Sequence, residues 1–116
     1  QQIAHRNKYI GLCPDLGHWL RSGLNSLESL KKYEGRIFNV HAKDLIPGEG
    51  GLGGYHDVPW GTGLNNFSGL IHELKRQNYN GTITVEYEYN WLNSFDEIKE
   101  SVQYFNRLTY WMSKEK

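Results

Sequence analysis

Three side chains suited to a hard divalent cation recur at equivalent places along the chain: Asp15, His41 and Glu86. Each lies at or just past the end of a segment with strand-like patterning. Side chains alternate along a strand, so Ile83, Val85 and Tyr87 share one face while Thr82, Thr84, Glu86 and Glu88 share the other. In the preceding strand-like segment Phe38, Val40 and Ala42 oppose Ile37, Asn39, His41 and Lys43. A packing face thus backs a polar face that ends in ionisable groups. A carboxylate, an imidazole and a second carboxylate form an oxygen-dominated set that suits Mn²⁺, Mg²⁺, Co²⁺ or Zn²⁺. Cys13 is the only cysteine, which excludes a multi-cysteine zinc site and an intrachain disulfide. Each residue also has an ordinary alternative. Asp15 follows Pro14 and could cap the turn or short helical segment after it, and His41 could be a hydrogen-bonded structural residue. Glu86 could pair with Lys43, since an unpaired buried carboxylate is costly.

The elements that must position these residues alternate in period. Tyr9 to Cys13 reads as a strand closed by Pro14-Asp15, and Ser26 to Tyr33 as a short helix with Asn25 and Glu28 as a capping pair and Gly35 as its stop. Arg36 to Ala42 reads as a second strand, followed by a long Gly-rich connection from Asp44 to about Leu64. Phe67, Leu70, Ile71 and Leu74 fall at i, i+3, i+4 and i+7, an amphipathic helix ending before Asn80-Gly81. Thr82 to Tyr87 is the third strand. Ser94-Phe95-Asp96-Glu97 then reads as a capping box opening a helix with Ile98, Val102, Phe105, Leu108 and Met112 on one face. Strands separated by helices imply parallel pairing through crossovers. An ordinary doubly covered parallel sheet is apolar on both faces, whereas a (β/α)8 barrel directs functional side chains inward near the C-terminal strand ends. The predicted fold is therefore α/β, about three β/α units forming the C-terminal part of a TIM barrel, with residues 1–116 as one partial domain.

Lys plus Arg and Asp plus Glu number 13 each, so no basic footprint draws in nucleic acid or an anionic membrane. No apolar run approaches the roughly 18 residues of a spanning helix, and Gln1 to Arg6 lack a signal-peptide pattern. The expectation is a soluble, cytoplasmic protein, although any targeting segment would precede these residues.

Four motifs in order carry a resemblance: Cys-Pro-Asp-Leu-Gly-His (13 to 18) with Arg21-Ser22-Gly23, Val-His-Ala-Lys-Asp (40 to 44), His-Asp-Val-Pro-Trp-Gly-Thr-Gly (56 to 63) and Thr-Val-Glu-Tyr-Glu (84 to 88). Together they resemble the C-terminal part of the sugar phosphate isomerase/epimerase family, the xylose isomerase-like TIM barrels. The resemblance implies a divalent metal held by Asp15, His41 and Glu86, with a further Glu on a strand outside this chain. It implies His18 as a substrate-side partner of Asp15, places Lys43 and Asp44 beside the substrate, and makes Glu86 both ligand and proton carrier. The implied reaction is proton transfer next to a carbonyl through an enediolate that the metal stabilises, on a sugar or sugar phosphate.

A full barrel takes about 250 residues. The chain is therefore expected to be inactive in isolation and to self-associate or pair with an N-terminal half-barrel through its open strand edges. The resemblance leaves two other readings: an inosose-type dehydratase of the same superfamily, and a non-catalytic carbohydrate-binding or assembly module. A nucleic-acid-cleaving member would need a His-rich cluster and a basic groove. Trp60, Trp91 and Tyr89, in loops beyond the strands, could stack on a sugar or pack the loops. Glu88 and His56 read as solvated, His5 and His72 as surface residues, and Cys13 as a small buried strand residue. Gly61-Thr62-Gly63 lacks the Lys-Ser/Thr of a phosphate loop.

Overall fold

A computed structural model describes residues 5–115. The N-terminal segment 1–4, part of the stretch read for a signal pattern, lies outside them. The order is α1 (Leu16–Arg21), α2 (Ser26–Lys32), β1 (Asn39–Ala42), β2 (Asp44–Pro47), a 3-10 turn (Leu52–Gly54), β3 (Tyr55–Val58), α3 (Phe67–Arg76), β4 (Thr82–Val85) and α4 (Phe95–Met112). β1 pairs in parallel with β4, with His41 opposite Thr84 and Ala42 opposite Val85. One layer of helices covers one face, and the extents of 42 × 36 × 20 Å describe a slab.

The core lies between that sheet and the helices. The α3 stripe of Phe67, Leu70, Ile71 and Leu74 is buried against Val40, Ala42, Leu16, Leu30 and Trp60. Asn66 caps α3 from a left-handed conformation, its side chain accepting from Gly69 N. The predicted cap of α2 forms: Asn25 Oδ1 accepts from Glu28 N at 3.1 Å, and Gly35 follows at φ +79°. At the end of α3, Arg76 bonds Glu73 and holds its carboxyl at about 2.

Four expectations are corrected. The first strand is not continuous: it survives as two parallel bridges, Leu12 to Ile37 and Asp15 to His41. Pro14 sits between them and has no N–H to donate, so the ladder is interrupted there. In the second strand Ile37 is buried and Phe38 is 47% exposed, because Phe38 lies over Gly11 at the open flank. The capping box of α4 does not close. Ser94 is helical in backbone and makes no side-chain cap bond, while Glu97 Oε2 accepts from Asn90 Nδ2 at 3.1 Å. The inward line of α4 includes Ser101, 0% exposed, instead of Val102, 41% exposed, because Ser101 Oγ accepts from Trp60 N and donates to Glu97 O.

The long Gly-rich connection holds an antiparallel hairpin, β2 with β3, in register from Asp44 opposite Val58 to Pro47 opposite Tyr55. Its signal was present in the alternation of Tyr55 to Val58 and the glycines clustered before it. Pro47 stands at the strand end, where a missing donor is tolerated. Among the described residues no helix is long and apolar enough to cross a membrane.

Candidate active site

Parallel pairing brings the polar strand ends to one rim. His41 N donates to Pro14 O at 2.9 Å and Glu86 N donates to Ala42 O at 3.0 Å. Asp15, His41 and Glu86 therefore stand at neighbouring ends of three adjacent extended segments. His41 Nδ1 is 3.7 Å from Glu86 Oε2, with the two side chains 39% and 31% exposed. Asp15 Oδ1 accepts from His18 N at 3.0 Å, so it caps α1, and its Oδ2 faces His18 Nε2 at 3.5 Å. The capping and site-facing positions of Asp15 coexist because each oxygen has its own neighbour.

The donor chemistry of Asp, His and Glu fits a hard divalent ion. Among the described residues, however, no three His, Cys, Asp or Glu groups converge closely enough to hold one. His41 and Glu86 are adjacent, whereas Asp15 is turned toward His18 and Lys43.

Lys43 is 0% exposed and bonds Glu88. Its Nζ lies 4.0 Å from Asp15 Oδ2 and 4.0 Å from Asp57 Oδ2. Lys43 thus pairs with Glu88, leaving Glu86 beside His41, and Glu88 is not the solvated charge expected of it. The ammonium of Lys43 holds the Glu88 carboxyl below the usual carboxylate range. Burial pushes Asp57 the other way, upward, against its hydrogen bond from Glu88 N at 2.6 Å and the attraction of Lys43. Asp57 reaches Lys43 only through the hairpin of β2 with β3, which the Gly-rich composition of this connection does not by itself announce.

Gly17 lets Lys43 through. A methyl at Gly17 would lie 2.5 Å from Lys43 Cδ. Gly17→Ala is expected to destabilise the fold by about 1–3 kcal/mol, the range for overpacking a filled core. Urea denaturation checks it; an unchanged midpoint would show that Lys43 has room to move.

Asp44, expected beside the substrate, is a loop anchor. Its Oδ1 accepts from Leu45 N and Asn65 N, and its Oδ2 from Gly61 N and Gly63 N, all at 3.0 Å. The Gly61 and Gly63 donors that a phosphate reading would need are therefore spent on Asp44. Trp60 takes the packing role among its two alternatives. It is 3% exposed, stacks on Phe67 at 4.8 Å, and donates Nε1–H to Ala42 O at 3.2 Å. Tyr89 stacks on His56 at 4.3 Å, so His56 is not a free loop residue, while Trp91 remains exposed. His72 bonds Ser68 O at 2.8 Å and Glu115 at 3.3 Å, which raises its pKa. Cys13 is exposed, contrary to expectation, since the neighbouring flank is open.

A family profile described as "Xylose isomerase-like TIM barrel" matches residues 1–108. An inosose dehydratase of Clostridium botulinum is 36% identical, the match covering 64% of this chain and 29% of that protein. An Escherichia coli K12 protein provisionally named as an L-ribulose-5-phosphate 3-epimerase is 35% identical, covering 63% of this chain and 26% of its own length. Among solved structures, a D-tagatose 3-epimerase-like protein superposes with TM-score 0.61 at 26% identity, over 91% of this chain and 40% of that one. An uncharacterised protein from Parabacteroides distasonis gives TM-score 0.54 at 34% identity, over 90% and 41%. The chain thus spans less than a third of these curated relatives and about two fifths of the solved ones.

Proposed function

The chain belongs to the xylose isomerase-like TIM-barrel family, and from that premise we propose that it supplies the C-terminal rim of a divalent-metal-dependent sugar or sugar-phosphate isomerase/epimerase. The observation that carries this reading is the placement of Asp15, His41 and Glu86 at the ends of three adjacent parallel segments, with His41 and Glu86 side by side. His41 and Glu86 would hold the ion together with a ligand from outside these 116 residues, and Asp15 would join them by turning its Oδ2 from His18 and Lys43. The ion would supply polarisation of a substrate carbonyl, which makes the neighbouring carbon-bound proton easier to remove.

Glu86 carries that proton. Its carboxylate is half-open to the rim, so it can reach a substrate and still exchange its proton with solvent. His18 orients the substrate from the Asp15 side. Lys43 acts from behind, its positive charge offsetting Asp15, Asp57 and Glu88 and fixing the strand-end geometry. The partner is a small-molecule sugar or sugar phosphate, and the open strand edges pair with the rest of a barrel or with a second copy.

The reading is tested first by Mn²⁺ titration of the chain, followed by calorimetry and by the paramagnetic broadening of ring resonances. Saturable binding that broadens His41, and falls at least tenfold in His41→Ala, is expected. Binding unchanged by that substitution would remove the ligand set. In the full-length protein, chelator should abolish exchange of the proton beside the carbonyl of a ketose or ketose phosphate. Similarity to an inosose dehydratase supports a second reading, loss of water after the same proton abstraction. An inosose in the substrate panel separates the two.

A further inference from the structure

Among the described residues, Arg21 Nε is the one buried side-chain nitrogen or oxygen without a hydrogen-bond partner. The guanidinium is planar, and its Nε–H and Nη2–H point the same way, forming the edge that accepts a carboxylate or phosphate through two parallel bonds. The opposite nitrogen, Nη1, is committed: it lies 3.2 Å from His18 Nδ1. Arginine has no acceptor, so Nη1 donates and the imidazole nitrogen accepts. This bond anchors one corner of the fork and leaves its two-donor edge without a hydrogen-bond partner among the described residues. Nor does Arg21 form an ion pair among the described residues, although its charge adds slightly to the lowering of Glu88 by Lys43 and slightly opposes the rise that burial gives Asp57.

Leaving a buried charged donor unpaired is costly. The segment over it is suited to give way. Gly53, at φ +63°, packs on the Arg21 stem, where a methyl would lie 2.9 Å from Cδ. Gly53 belongs to the hairpin tip between β2 and β3, which also holds Gly48, Gly50, Gly51 and Gly54. Arg21 closes α1, whose first turn is capped by Asp15 and which carries His18, so its edge stands beside the rim described above.

We propose that Arg21 is an oxyanion-binding residue of this rim, taking a substrate's phosphate ester or carboxylate on its Nε/Nη2 edge as the glycine tip moves aside. This rests on the sugar reading of the rim and deepens it, since it makes the substrate an anionic sugar derivative and not a neutral sugar. Arg21 is the specificity-determining side chain. Lysine, a point charge, cannot reproduce the two-bond contact.

The test is titration of the chain with inorganic phosphate at constant ionic strength, followed by the Nε–H resonances of its arginines. A saturable shift of the Arg21 resonance is expected, with affinity falling at least tenfold in both Arg21→Lys and Arg21→Met, while the amide spectrum away from α1 and the hairpin tip stays unchanged. Matching titrations with a carboxylate sugar acid, a sugar phosphate and the neutral sugar identify which anion is preferred. A linear drift shared by all arginines, or phosphate affinity retained in both variants, overturns the proposal. Because phosphate carries neither sugar nor metal, failure here leaves the Mn²⁺ result standing, and failure of Mn²⁺ binding leaves this one standing.

Discussion

Asp44→Ala is expected to remove a large share of the fold's stability. The carboxylate, 1% exposed, accepts four backbone N–H groups from Leu45, Gly61, Gly63 and Asn65. Hydrogen bonds to a charged group contribute about 1.5–3 kcal/mol each, and donors left buried without an acceptor add a desolvation cost. Even with partial rescue by water, a loss of about 4 kcal/mol or more is expected, against total stabilities of roughly 5–15 kcal/mol for domains of this kind. Asp44→Asn keeps one acceptor oxygen and should fall between. Urea denaturation at neutral pH checks the order; equal midpoints for wild type and Asp44→Ala would show that the loop does not depend on the carboxylate. The loop bounded by these contacts also carries Trp60, whose indole closes the core over Ala42. Its fluorescence should therefore report the same transition.

Lys43→Met is the second large effect. Removing the ammonium leaves Asp15, Asp57 and Glu88 facing one another with only the weaker pull of Arg21 on the last two, and breaking a buried pair in this way costs about 3–5 kcal/mol. The pH dependence has a definite sign. Glu88 is depressed below its usual value chiefly by its bond to Lys43, so its contribution is present above about 4.5 and is lost as pH falls through the lower folded value. Deleting Lys43 removes that contribution. The gap between wild type and Lys43→Met should therefore be widest at neutral pH and narrow on acidification, as the carboxylates take up protons. Glu88→Gln in the Lys43→Met background should recover part of the loss. A gap that does not change between neutral pH and pH 3 would show that the penalty comes from lost packing around Gly17 instead of lost charge pairing.

The contrast between Asp44 and Lys43 shows where local pattern stops being informative. They are adjacent in one motif, and the family resemblance implies a place beside the substrate for both. The hairpin separates them: Asp44 opens β2 and turns to the Gly61–Asn65 loop, while Lys43 runs under Gly17 toward Asp57 and Glu88. Trp60 follows the same logic. A loop position beyond a strand is compatible with sugar stacking or with packing, and the choice depends on Phe67 from the next helix and Phe105 from the distant α4 closing on the ring together.

Residue order by itself determined the α/β class, the amphipathic α3, the parallel pairing of the second and third strands and the polar faces that end in His41 and Glu86. Those features follow from periodicity and neighbour spacing, which are local. Tertiary structure alone decided that Lys43 is buried among three carboxylates, that Asp57 joins them from the hairpin, and that the Arg21 fork is left with an unused edge. Each of these depends on charges brought together from segments far apart along the chain, and the energy of a buried charge is set by its spatial neighbours, whatever their distance in sequence.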